Sequence, residues 1–221
     1  MVFTTADLLR LVSKSPRCIR GDIFEGWRIE EEPPCPAGEF ATPVFEGSGV
    51  VGGYARSAAE GRASEDRFRE ACMRCLPSER YPYVRTTTLK EDVKQHVDVE
   101  VSVLAHPEDE ESCARKMCKV DVKAPKRSSR GEGFSDTVMW VEMRARNGNP
   151  GWIYGAADII AQEVDRRGFV LLDRKALKDF AELEVARNPA ARHTRRENPL
   201  EVVLKLDFAR CVEKAGIGFW K

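Results

Sequence analysis

Valine recurs at every second position from Val97 to Val103, with His96, Asp98, Glu100 and Ser102 between. Such alternation predicts a half-buried strand over 96–104, valines to the core and polar residues to solvent. The same period returns at 117–124 (MCKVDVKA), at 137–144 (TVMWVEMR) and in EVVLKLDF near the end. The run GWIYGAADIIAQEV (151–164) continues the apolar pattern, and GFVLL reads as a strand leading into a helix, DRKALKDFAELEVA, capped by Asp173. Helical spacing governs 63–76, ASEDRFREACMRCL, where Phe68, Cys72, Cys75 and Leu76 share a face. Ser64 caps that helix, Glu65 and Asp66 suit its first turn, and Pro77 ends it.

Upstream, residues 5–15 read as one short amphipathic helix with Thr4 or Thr5 as cap. The chain from there to about residue 62 is rich in proline and glycine and reads as loop. The order is helix, three strands, a mixed segment, strand, helix and strand. It predicts an α/β (α+β) domain over 61–221, with an extension over 1–60 that wraps or links. Phe24, Trp27, Phe40 and Phe45 suggest that the extension packs against something, and in a non-enzymatic reading it would be the docking element for a protein partner or a second copy.

Composition narrows the class only modestly. The 221 residues are 42% hydrophobic and 33% charged, with a net charge of zero, so the domain as a whole does not advertise nucleic acid. The seven cysteines are odd in number and irregularly spaced, and several fall in apolar runs, which suits a reducing, intracellular compartment without a disulfide framework. No stretch approaches the roughly 20 apolar residues of a membrane span, so no membrane partner is expected. Acids stand early (Asp7, Asp22) with no long apolar run beside them, so no secretory signal is expected either.

Candidate chemistry gathers at 96–124. If the two strands there pair, their apolar faces turn together and Asp98 shares a face with Asp121 and Lys123. Side chains two apart along a strand are about 6.5 Å apart, a reach at which two carboxylates can hold a divalent cation. Lys123 would stand beside the ion, to orient or deprotonate water or to stabilise charge on a phosphate. Glu65 would add an acid from the preceding helix; Asp66 and Glu70 compete for that place, and Glu65 is favoured because it alone lies along the Phe68–Cys72 face.

A helix glutamate, a strand aspartate and then acid-x-lysine is the order of the PD-(D/E)XK nuclease superfamily. Here the positions are Glu65, Asp98 and Asp121-Val122-Lys123. The segments Gln95-His96-Val97-Asp98, Val120-Asp121-Val122-Lys123, Trp140-Val141-Glu142, Gly148-Asn149-Pro150-Gly151-Trp152 and Ala157-Asp158-Ile159-Ile160 follow one another as in small phage- or virus-type endonucleases of that superfamily. The chain resembles them over roughly 62–182. The resemblance implies a restriction-endonuclease-like core, a central mixed sheet flanked by helices. It also implies an Mg²⁺- or Mn²⁺-dependent hydrolase of DNA phosphodiesters, with Asp98 and Asp121 on the metal, Lys123 on the water and Glu65 assisting, and a virion or host-cell setting. The alternative is a catalytically silent copy of that fold, used as a structural or nucleoprotein module.

Other signals rank lower. Asp136 with Glu142-Met143-Arg144 is a rival acid-x-base set, but arginine cannot act as a base. Glu142 is expected in a structural ion pair, and His96 as a strand-edge histidine or a support to Asp98. Lys126, Arg127 and Arg130 follow the acid-x-lysine directly and are the expected DNA-gripping cations. A second basic run, Arg187, Arg192, His193, Arg195 and Arg196, suits a solvated loop. GSGVVG lacks the βαβ context of a dinucleotide site. Cys72, Cys75, Cys113 and Cys118 lack the spacing of a zinc finger or ribbon, which makes a zinc-stabilised nucleic-acid binder the weakest alternative.

Overall fold

The valine alternation becomes the centre of a mixed sheet in a computed structural model. The structure describes residues 29–30, 52–76, 82–88, 95–104, 115–125, 137–164, 168–189, 192–195 and 198–220. The elements are β1 (Ile29–Glu30), α1 (Gly52–Cys75), β2 (Tyr83–Thr86), β3 (Val99–Leu104), β4 (Arg115–Lys123), β5 (Val138–Arg144), β6 (Ile159–Val164), β7 (Gly168–Asp173), α2 (Arg174–Arg187), β8 (Arg192–Arg195), β9 (Asn198–Asp207), α3 (Phe208–Ala215) and β10 (Gly216–Trp220). A 3-10 turn at Trp152–Tyr154 lies between β5 and β6.

The main sheet runs β10-β7-β6-β4-β3-β2, with β1 paired to the start of β4. It is antiparallel except where β4 meets β6, which run parallel with Val120 opposite Ile159 and Lys123 opposite Gln162. Strands β3 and β4 pair as the sequence predicts, Val99 opposite Val120. A smaller sheet, β5-β9-β8, stands apart from the main one. The predicted strand at 137–144 therefore forms, but in this second sheet. The fold is α/β with a mostly antiparallel central sheet flanked by helices.

Two cores lie on the two faces of the main sheet. On one face, Phe68, Ala71, Cys72 and Leu76 of α1 pack on Val99, Val101, Val103, Cys118, Val120, Val122, Ile159 and Ala161. Phe68 meets Phe169 edge-on at 5.1 Å and stacks on Trp220 at 5.7 Å. On the other face, Val97, Ile160, Val164, Val170 and Leu172 join Met139, Val141, Trp152 and Ile153 with the apolar stripes of α2 and α3. Asp173 caps α2 as predicted, its carboxylate accepting from the Ala176 N–H at 2.7 Å.

Several expectations need correction. The helix predicted from residue 63 begins at Gly52, so it runs across the expected boundary at 60–61. Ala58, Ala59 and Glu60 are good helix formers, and no proline interrupts before Pro77, so the glycine-rich start misleads. The strand predicted from 96 begins at 99, because His96 adopts a left-handed φ of 52° that no strand tolerates. Nor is the polar face of the strands open to solvent: Ser102 and Asp121 are buried. The predicted helix at 5–15 lies outside the described residues. No helix among those described is long and apolar enough to cross a membrane.

Candidate functional site

Asp98 stands one step beyond the Val99–Val120 pair, where β3 and β4 come together. Its N–H donates to the Val120 carbonyl at 2.9 Å, and its Oδ2 accepts from the Val122 N–H at 2.7 Å. Both bonds fix the carboxylate against β4. Asp121 alternates with Val120 and Val122, which pack under α1, so it points from the opposite face. It is only 1% exposed. Lys123 projects from that same face and donates to Asp121 Oδ1. The Lys123 ammonium also lies 5.0 Å from the centre of the Trp152 ring.

The second oxygen of Asp121 is buried without a hydrogen-bond partner. Burial pushes this carboxyl well above the usual range, and the neighbouring Asp98 carboxyl pushes it further, while Lys123 opposes both. Burial disfavours the charge on Lys123, but Asp121, Asp98 and Glu142 outweigh it and hold the ammonium above its ordinary pKa. A buried carboxyl beside a half-buried one, with a single lysine bonded to it, is short of positive charge. A proton on Asp121 or a bound cation would relieve that shortage.

His96 belongs to the same cluster. Its imidazole pKa is lowered, first by burial and then by Lys123, against the pull of Glu142 and Asp98. Its backbone is pinned by its neighbours: the Ala156 N–H donates to the Gln95 carbonyl at 2.7 Å, and a Cβ on Gly155 would lie 2.8 Å from the His96 Cβ. Gly155 must therefore be glycine for the turn to pass. Asp158 latches the start of the parallel pair, its Oδ2 accepting from the Lys119 N–H at 2.9 Å and its own N–H donating to the Lys119 carbonyl at 2.7 Å. The Arg174 guanidinium donates to the carbonyls of Ala157 and Ile153. Trp152 thus lies beside Lys123, while Asp158 ties the start of β6 to Lys119 at the other end of the shared register.

No family model, curated protein or solved structure matches this chain. The site has to be read from its own geometry.

Asp98, Asp121 and Lys123 come together as the sequence predicts. Glu65 does not share their face: it sits half-buried on α1, the helix that covers the Val120–Val122 side. Its spacing along the Phe68–Cys72 stripe, which singled it out, is what turns it toward the opposite core. Lys126, Arg127, Arg130 and Asp136 lie outside the described residues, as does Cys113. Glu142 and Trp152 were undervalued by the sequence reading. Glu142 contributes to the electrostatics of Lys123 and His96, and the hint was its place in the Trp140-Val141-Glu142 segment of the quoted series.

Among the described residues, no group of three or more His, Cys, Asp or Glu is arranged to hold a metal ion. The pair Asp98–Asp121 nevertheless suits a hard cation that takes one or two carboxylates and fills its remaining positions with water and phosphate oxygens. The orphaned Asp121 oxygen is the observation that fits such an ion. Zinc fits poorly: Cys72 and Cys118 are buried, and burial raises their thiol pKa values, against the thiolate that zinc needs. A groove of about 660 Å³ lies elsewhere, between α1 and β2, lined by Arg69, Met73 and Tyr83 among others.

Proposed function

We propose that this chain is a divalent-cation-dependent nuclease of the PD-(D/E)XK type, with a restriction-endonuclease-like core, hydrolysing DNA phosphodiester bonds. The observation that carries the reading is Asp121, a buried carboxylate with one oxygen unpartnered, set beside Asp98 and bonded to Lys123. Asp98 and Asp121 would hold Mg²⁺ or Mn²⁺, which would supply a Lewis acid and a water of lowered pKa. Asp98 is pre-oriented by the Val122 N–H and stands against Asp121. Lys123 is held as an ammonium by three acids, which favours a donor over a base. It would orient the attacking water and stabilise charge on the scissile phosphate. Glu65 has no part in this site.

Complete burial of Asp121 favours a second reading, a silent nuclease-like module in a nucleoprotein assembly. One experiment separates them. The chain is incubated with supercoiled plasmid, or with single-stranded RNA, and Mg²⁺ or Mn²⁺, alongside Asp121→Asn and Lys123→Met. Nicking by the wild type that both substitutions abolish supports the nuclease. Cleavage of RNA alone would move the substrate class. Cleavage that survives both changes overturns the site, and no cleavage with either ion favours the silent module.

A further inference from the structure

A side chain from the neighbouring strand closes the end of β4. The strand stops at Lys123, and Pro125, just beyond, has no N–H with which to continue the ladder. Its parallel neighbour β6 runs on to Val164, past the last pair, Lys123 opposite Gln162. Side chains along β6 alternate. Ile159 and Ala161 enter the core under α1, and Glu163 takes the bidentate bond from Arg67 of that helix. Ile160 and Val164 enter the other core. Gln162 therefore projects from the face that carries Asp121 and Lys123, one strand spacing from Lys123, or about 4.8 Å. Its Nε2 donates to the carbonyls of Lys123 at 3.2 Å, Ala124 at 3.4 Å and Glu163 at 3.0 Å. Turning the amide over would set its oxygen against three carbonyl oxygens, so its orientation is determined. The amide thus supplies the donor that the end of β4 lacks, and it ties that end to β6.

We propose that Gln162 is a positioning residue that fixes the root of Lys123 and so keeps its ammonium aimed at Asp121. The consequence for cleavage rests on the nuclease reading above. The tip of Lys123 is set by its bond to Asp121 and lies 5.0 Å from the centre of the Trp152 ring. Between tip and root runs a flexible alkyl stem, so the bond at the tip does not by itself fix the backbone. Lys123 is also the last residue of its strand, where no later pair steadies the chain. Without the amide, the carbonyls of Lys123 and Ala124 lose this donor and the root is free to follow the chain that leaves β4. The ammonium can then leave the carboxylate. Asp98 keeps its own bonds to Val120 and Val122, and Asp121 stays within the β4–β6 register, so the change falls on Lys123.

The test pairs competitive acylation of the full chain, read by mass spectrometry, with single-turnover nicking of supercoiled plasmid in Mn²⁺. Lys119, on the same strand, is the internal standard. The Lys123 side chain is 22% exposed and bonded to Asp121, so it should acylate slowly in the wild type. Gln162→Met keeps a similar volume and removes the amide. In that variant Lys123 should acylate several-fold faster while Lys119 keeps its rate. Nicking should fall about 10²-fold, the scale of a roughly 1 Å misplacement of a catalytic group. An unchanged ratio of Lys123 to Lys119 acylation overturns the proposal, whatever nicking does. Faster acylation of both lysines together also overturns it, because the chain has then loosened generally. Selective release of Lys123 with nicking at the wild-type rate overturns the positioning role. A wild type that does not nick overturns the nuclease reading alone, since the acylation ratio still decides what holds Lys123.

Discussion

Replacing Asp121 by asparagine should stabilise the protein without cation and destroy its response to cation. The side chain is 1% exposed and its folded pKa is raised, first by burial and then by Asp98. A raised folded pKa means that the folded chain holds its proton more tightly than the unfolded chain does. The stability this confers is complete below the ordinary carboxylate range and is lost as pH climbs toward the folded value. Within that window the loss amounts to about 1.4 kcal/mol per pH unit. Asparagine keeps the shape and has nothing to titrate. The variant should therefore gain on the wild type as pH rises from about 4, until the folded pKa is passed. For a chain of this length each kcal/mol is about 2–4 °C in Tm, so the divergence is readable by differential scanning calorimetry. Adding Mn²⁺ at roughly one hundred times Kd should return about 2.7 kcal/mol to the wild type alone. The two proteins should thus exchange rank between chelator and cation. Parallel stability–pH curves, or equal stabilisation of both by Mn²⁺, would refute the account of Asp121 as a charge-starved carboxyl.

Other perturbations probe the frame around the site. Glu163 is buried and takes a bidentate bond from Arg67, at 2.6 and 2.8 Å, while the arginine side chain is 37% exposed. Arg67→Met should cost about 3–5 kcal/mol in urea unfolding because it strands the carboxylate, whereas pairing it with Glu163→Met should recover most of the loss. Gly151→Ala should cost about 1–3 kcal/mol, since its methyl would collide with backbone, and should lower plasmid nicking too. Gly61→Ala should raise stability by about 0.5–1 kcal/mol, as nothing lies within 4 Å of the added carbon on this helix. Lys123→Met should reduce nicking by roughly 10²- to 10⁴-fold, measured under single-turnover conditions.

Much of the sheet was legible because its code is local. Alternation alone places β3 and β4, and sequential pairing then brings Asp98 beside Asp121. The cap at Asp173 was equally legible, because a cap and the N–H it accepts lie within one turn. What escaped depends on distant parts of the chain. Nothing between 137 and 144 says that this strand pairs with β9 instead of β4, since its alternation suits either sheet. The burial of Asp121 escaped for the same reason: its face of the sheet carries the second core, brought in by a crossover. Glu65 failed on direction. A helix lying on a sheet has one buried stripe, and bordering that stripe places a residue near the covered face, whichever face carries the chemistry.

The parallel junction of β4 with β6 has a consequence for assembly order. Asp98 and Asp121 meet through the neighbouring strands β3 and β4, a contact of modest sequence separation. Trp152 reaches Lys123 only once the chain between β4 and β6 has crossed over and closed, which is the slower kind of event. The acidic pair should therefore exist before its cover does. A nascent chain would hold two facing carboxylates and Lys123 in a wet, open hairpin, and would acquire the desolvated, charge-starved centre only in the last stage of folding. Divalent ion present during refolding would then meet an accessible pair of ligands before the wall beside them is built.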